Sequence, residues 1–292
     1  MDGILIVDKP AGLTSHDVVA RVRHLAGTRK VGHAGTLDPP ATGVLVLALG
    51  KATRLLEYLS GHDKQYLATI TLGSVTTTYD AEGEIVTTLV GPLPNRATVE
   101  RALASFRGQI AQVPPIYSAI KQGGEALYAK ARRGETVSAP PLREVTIYEL
   151  DLLRYEPPTL DIRVRCSKGT YVRSLAHDLG RALGTGAFLA ALRREASGPF
   201  TLAQAYPLPV LAQAAADGRL GDLLLPPGAG LEAYPAVPVT REELAVLHHG
   251  QAIDGPRAAP GTIGRALLEG ALVAIIVYDG SAARWRPRKV LA

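Results

Sequence analysis

Seven residues past the midpoint of the chain, Leu160-Asp-Ile-Arg-Val-Arg-Cys166, alternate apolar and polar without a break. Side chains on a strand point to opposite faces in turn, so Leu160, Ile162, Val164 and Cys166 are predicted to face a core, and Asp161, Arg163 and Arg165 to face out. Short β-type runs recur at Ile4 to Val7, Val44 to Leu49, Tyr66 to Leu72 and Val145 to Leu153. Helical segments lie between them. Ser15 is predicted to cap a helix carrying Val18, Val22 and Leu25 on one face and stopping at Gly27. Thr98 to Phe106 ends similarly at Gly108, and Tyr171 to Leu183, striped by Val172, Leu175, Leu179 and Leu183, ends at Gly184. Strands and helices mixed without regular βαβ spacing predict an α+β fold with a largely antiparallel sheet rather than a doubly wound parallel one.

The composition shifts at Leu223-Leu-Leu-Pro-Pro-Gly-Ala-Gly230, which puts a domain boundary near residue 229. Beyond it, Thr240 and Glu243 form a capping box for a helix closed by Gly250, and strands follow at Ile263 to Leu268 and Leu272 to Tyr278. With 292 residues, 47% of them hydrophobic, the chain can bury a full core in one large domain and a small one. The 32 Lys and Arg against 27 Asp and Glu leave a formal charge of +5, which permits a polyanionic partner without demanding one. Cys166 is the single cysteine, so an intramolecular disulfide and a cysteine-based metal cluster are both excluded. The apolar runs are strand-length, shorter than a membrane-spanning helix requires, and the start MDGILIVDKP does not read as a signal peptide. A cytoplasmic protein is expected.

The most unusual segment is Gly32-His-Ala-Gly-Thr-Leu-Asp-Pro-Pro-Ala-Thr-Gly43, with three glycines and two prolines around a histidine and an aspartate. Such a loop suits backbone held close to a ligand. An ordinary Asx-Pro turn, in which Asp38 caps its own backbone, is the commoner meaning of such a pattern taken alone.

Gly35-Thr-Leu-Asp-Pro39, followed by Ala41-Thr-Gly-Val-Leu45, resembles the catalytic loop of the TruB family of pseudouridine synthases. Further matches follow in the family's order: Lys9-Pro-Ala-Gly-Leu-Thr-Ser15, Lys64-Gln-Tyr66, Gln112-Val-Pro-Pro-Ile-Tyr-Ser-Ala-Ile-Lys121, Cys166-Ser-Lys-Gly-Thr-Tyr-Val-Arg-Ser174 and Leu192-Arg-Arg194. Agreement runs from residue 4 to about residue 200 and is looser beyond. The resemblance implies a catalytic domain over residues 1–229, its mainly antiparallel mixed sheet flanked by helices, with a thumb-loop insertion at about 114–142. It implies a small PUA-like RNA-binding β-barrel over 230–292.

The implied activity is isomerisation of uridine to pseudouridine at position 55 in the T-loop of tRNA. Asp38 would be the nucleophile, Tyr66 would stack on the flipped uracil and be placed for proton transfer, and Arg173 would ion-pair with Asp38. Cutting and re-forming a bond to uracil involves no redox change and no activated donor, so a carboxylate nucleophile suffices and no cofactor or metal is expected. Ribose C1′ and uracil C6 both remain open as the point of attack. Tyr171 and Leu192 would wall the pocket, and His33 would fill the gap left by the extruded nucleotide. Lys9, grouped with the binding residues, would support the catalytic loop. Lys130, Arg132 and Arg133 in the thumb and Arg193 beside the pocket would contact RNA phosphates, as could Arg21, Arg23, Arg29, Lys30, Lys121 and Arg194. Thr77 stands where the family usually has an acid, while Asp80 is retained, and little effect on catalysis is expected. The expected partner is the T stem-loop of tRNA, bound by a monomer without a membrane or an obligate protein partner. A catalytically idle RNA-binding protein on the same scaffold is the main competitor, and the set of Asp38, Tyr66 and Arg173 argues against it. A carboxylate-dependent hydrolase would want a second carboxylate as acid, which the matched motifs lack.

Overall fold

The computed structural model describes residues 1–89, 91–118, 121–122, 125–127, 130, 133, 135 and 140–291. Its main sheet runs, edge to edge, through Tyr206–Pro207, Gly3–Lys9, Thr42–Leu49, Ala187–Ser197, Lys64–Leu72, Thr159–Cys166, Arg143–Glu156 and Gly108–Gln112. Neighbouring strands are antiparallel except where Gly3–Lys9 meets Tyr206–Pro207 and where Thr42–Leu49 meets Ala187–Ser197. The sheet is therefore mixed and mainly antiparallel.

Two kinds of strand sequence follow from what covers the sheet. Gly3–Lys9 and Thr42–Leu49 read as continuous apolar runs because both faces are buried. Ile4, Ile6, Val44 and Val46 enter one core. Leu5, Val7, Leu45 and Leu47 enter another, under the Ser15–Leu25 and Leu208–Ala216 helices. Thr159–Cys166 alternates instead. Its Leu160, Ile162, Val164 and Cys166 pack with Leu175 and Leu179 of the Val172–Ala182 helix. On the other face Asp161 pairs with Arg154, Arg163 with Glu195 and Arg165 with Glu149.

The caps differ from expectation in one place that matters later. Thr14, not Ser15, caps the Ser15–Leu25 helix, in a capping box with Asp17. Ser15 is the first helical residue, and its hydroxyl is free for another partner. The Ala187–Ser197 strand also had no counterpart in the sequence reading, although it lies in the middle of the sheet.

A second sheet of four strands, Ala236–Pro238, Ile263–Leu268, Ala271–Asp279 and Arg284–Val290, carries the Arg241–His248 helix and its own core around Trp285. Thr240 and Glu243 form the capping box expected of them. This PUA-like module is fastened to the main sheet: Leu231, Ile275 and Leu291 share a buried cluster with Ile4, Leu55, Leu59 and Phe200. Lys289 and Arg288 also reach Glu57. Exposed ion pairs contribute little, so the shared apolar cluster carries the attachment.

Candidate active site

The Gly32–Gly43 loop is held from several sides. Ser15 Oγ accepts from the Leu37 N–H at 2.8 Å and donates to the Leu37 carbonyl at 3.0 Å. The Pro39 carbonyl accepts from the Gly12 N–H at 2.9 Å and from Lys9 Nζ at 3.0 Å. Arg194 donates to the carbonyls of Gly35, Thr36 and Val44. Gly43 is needed where the loop joins its strand: φ is +102°, and an added Cβ would lie 2.2 Å from the Arg194 carbonyl oxygen.

With its backbone so pinned, the loop presents the Asp38 carboxylate to Arg173 at 3.1 Å. It is the main-chain carbonyl of Asp38 that closes the local turn, accepting from the Ala41 N–H. Arg173 sits in the first turn of the Val172–Ala182 helix, where the helix dipole disfavours a cation. Two carboxylates offset that: besides Asp38, Asp80 Oδ2 lies 3.4 Å from Nη1. The guanidinium also donates to the carbonyls of Tyr117 at 2.9 Å and Thr78 at 3.4 Å. Arg173 and Asp80 are both buried. Asp38 keeps 41% of its side chain open.

That opening is a cleft of about 280 Å³ lined by Asp38, Tyr66, Tyr171, Arg173 and Leu192, together with Lys64, Ser118, Arg194 and the Ser167–Thr170 turn. Crowding by protein raises the Asp38 pKa above the ordinary 3.8; Arg173 and Lys9 oppose this, and Asp80 adds to it. Burial likewise raises the pKa of the Tyr66 and Tyr171 phenols, keeping them neutral. Tyr171 is fixed by Gln112, which accepts from its N–H at 3.0 Å and donates to its carbonyl at 3.2 Å.

Other residues singled out in the sequence fall elsewhere. His33 is not in the cleft lining; its ring packs edge-on against His16, and burial lowers its pKa to about 4, so it is uncharged at neutral pH. Lys9 is not in the cleft lining either. It is wholly buried and bonds the carbonyls of Pro10, Leu13 and Pro39. Arg193 and Arg194, read together as phosphate contacts, part company because neighbours on a strand face opposite ways. Arg194 is buried under the loop, whereas Arg193 is partly exposed and pairs with Asp8 at 2.9 Å. In the segment expected to form a thumb, Arg133 pairs with Glu135 at 2.7 Å. Arg132 lies outside the described residues, as do 13 of the 29 residues from 114 to 142.

Asp80 and Lys64 are residues around the cleft whose parts the sequence left unassigned. Lys64 had a signal: it shares strand parity with Tyr66 and so faces the same way. It donates to the carbonyls of Ser60 and His62.

The burial of Lys9 has a measurable consequence. Lys9→Met takes a donor from the part-buried carbonyls of Pro10, Leu13 and Pro39, of which Pro39 keeps the Gly12 N–H; a carbonyl left unsatisfied costs about 1–3 kcal/mol unless water replaces the donor. A lowered melting temperature and slower turnover are expected. Burial also lowers the Lys9 pKa from 10.5 to about 8, so between those pH values the unfolded chain binds the extra proton. Stability should gain from this residue as pH rises through that window, and denaturant titrations of Lys9→Met should lack the gain.

An ion-paired aspartate at the floor of a cleft, on a mixed and mainly antiparallel sheet with helices against it, is the arrangement of a pseudouridine synthase. The backbone agrees with that of a solved H/ACA ribonucleoprotein bound to a substrate RNA containing 2′-deoxyuridine: TM-score 0.77 and 26% identity, covering 99% of this chain and 85% of that one. More narrowly, the chain belongs to the TruB family of pseudouridylate synthases. The family's N-terminal domain model matches residues 23–172, and the model of the tRNA pseudouridylate synthase B C-terminal domain matches residues 173–232. The tRNA pseudouridine synthase B of Dehalococcoides mccartyi is 45% identical over 99% of this chain and 96% of its own length. That of Syntrophotalea carbinolica is 49% identical over 86% of this chain and 81% of its own.

Proposed function

We propose that the chain isomerises uridine 55 in the T-loop of tRNA to pseudouridine, with Asp38 as the nucleophile. The observation that carries this is the 3.1 Å pair of Asp38 and Arg173, held at the floor of a cleft walled by Tyr66, Tyr171 and Leu192. A uridine stacked inside a folded loop is out of reach, so the base must be extruded. Tyr66, a neutral phenol, offers it a stacking face, and the uncharged ring of His33 suits a filler of the vacated space. Asp38 attacks the extruded nucleoside, the N-glycosidic bond breaks, and C5 of the turned uracil bonds to C1′ as the bond to Asp38 is released; C5 then loses its proton and N1 gains one. All of this proceeds without redox change, so the reading requires no cofactor. The catalytic unit is placed at residues 1–229 and the RNA-binding C-terminal unit at 230–292.

The direct test is to incubate the protein with an unmodified tRNA transcript and map pseudouridine along it. A single new pseudouridine in the T-loop is expected; modification elsewhere, or none, would overturn the reading.

How the RNA is gripped can be tested separately. Affinity resting on phosphates falls steeply as salt rises. Replacing Lys130, Arg132 and Arg133 together should weaken binding and flatten the slope of log Kd against log salt, while the modified uridine stays the same. Coincident slopes for wild type and the triple variant would mean that the thumb does not hold phosphates.

A further inference from the structure

Tyr79 has a left-handed backbone, φ +63°, which a bulky side chain adopts only when its surroundings insist. It lies at the centre of the turn that supplies Arg173 with two acceptors, the Thr78 carbonyl before it and the Asp80 carboxylate after it. Hydrogen bonds close the turn: Tyr79 N–H to the Thr76 carbonyl, Thr76 Oγ1 to the Asp80 carbonyl, and Glu82 N–H to Asp80 Oδ1. The Leu189 N–H donates to the Tyr79 carbonyl at 2.9 Å, tying the turn to the strand that carries Leu192. The Tyr79 ring, in turn, lies flat on the ring of His177, with centroids 3.9 Å apart and planes 15° from parallel.

His177 is one helical turn beyond Arg173, on the same face of the same helix. Its Nδ1 is buried with no hydrogen-bond partner among the described residues, so that atom does not hold the ring in place. One helix therefore carries both the arginine and the aromatic plate that fixes the loop opposite it.

We infer that Tyr79 and His177 are positioning residues for the reaction: their stack clamps the strained Thr78–Asp80 turn onto the helix, so that Asp80 and the Thr78 carbonyl set the orientation in which Arg173 meets Asp38. Neither ring needs to touch RNA. The inference rests on the proposal that Asp38 and Arg173 carry the chemistry. It also explains why a tyrosine occupies a backbone position that glycine would fill without strain: glycine has no ring to stack.

The test compares the full-length variants Tyr79→Gly, Tyr79→Phe and His177→Leu on an unmodified tRNA transcript. Single-turnover rate, Kd and melting temperature are measured for each. Tyr79→Gly relieves the backbone and removes the ring; its single-turnover rate should fall about tenfold to a hundredfold, as displaced catalytic groups do. Its Kd should stay within about twofold, since no RNA contact is lost. Tyr79→Phe, which can still stack, should restore most of the rate. In an Asp80→Asn background Tyr79→Gly should cost clearly less than it does alone, because part of the clamp acts through Asp80. A Tyr79→Gly rate equal to wild type, or the same loss on top of Asp80→Asn, overturns the inference. Should Tyr79→Gly fold poorly, His177→Leu removes the partner ring from the helix side and must show the same pattern of slow turnover at unchanged Kd, or the inference falls. Asp38→Asn separates the two readings: if it stays active, the proposed mechanism fails, whereas an inactive Asp38→Asn beside a fully active Tyr79→Gly fails the clamp alone.

Discussion

Asp38→Asn is expected to abolish pseudouridine formation, by roughly 10⁴-fold or more, while the protein stays folded and binds tRNA with near wild-type affinity. Asparagine keeps the shape of the side chain but is not a nucleophile. The backbone should be indifferent, because the loop is held through Leu37 by Ser15 and through Pro39 by Lys9 and Gly12, none of which involves the carboxylate. Single-turnover assays with filter-binding controls check this, and appreciable turnover by the variant would remove Asp38 from the mechanism. The wild type carries a related signature. Crowding raises the Asp38 pKa above 3.8, and the reactive form is the anion. Activity should therefore fall, as pH drops, at a pH above that of an ordinary aspartate. The same shift means that ionised Asp38 costs the folded state stability above that pKa, so Asp38→Asn should not be markedly less stable than wild type at neutral pH.

Arg173→Met is expected to lower turnover on the order of 10²–10³-fold and, unlike Asp38→Asn, to destabilise the fold. Arg173 is buried between two carboxylates, and Asp80 is itself only 6% exposed. Removing the cation strands a buried anion, which costs about 3–5 kcal/mol where one partner of a buried pair is deleted. Two carbonyls, those of Tyr117 and Thr78, lose their donor at the same time. Tyr117 lies within the expected thumb segment, so some loss of RNA affinity is expected too, much smaller than the loss of rate. Arg173→Lys should recover more stability than rate: an ammonium restores the charge but not the planar fork that reaches four acceptors. Thermal melts beside single-turnover rates separate the effects. An Arg173→Met protein as stable as wild type would show that Asp80 does not depend on this arginine.

Much of this molecule was legible before any coordinates. The alternation of Leu160 to Cys166 marked its two faces, the double-sided burial of Gly3–Lys9 and Thr42–Leu49 lay in their continuous apolar runs, and helix ends at Gly27, Gly184 and Gly250 followed from local rules. The Gly32–Gly43 loop stood out by its glycines and prolines, and Asp38, Tyr66 and Arg173 by resemblance. These are signals written within a few residues of where they act. What the tertiary structure alone decided has its cause far away along the chain. Ala187–Ser197 is rich in alanine, leucine, arginine and glutamate, which favour helix by a few tenths of a kcal/mol each. It is nonetheless a central strand, because pairing with Thr42–Leu49 on one side and Lys64–Leu72 on the other satisfies its backbone and buries its apolar face. That assignment separates Arg193 from Arg194 and sends the latter under the loop. In the same way no local pattern says that Lys9 is buried or that Asp80 completes the pair at Arg173. Charged groups are buried only where partners from other elements converge on them, and that convergence exists only once the sheet has brought those elements together.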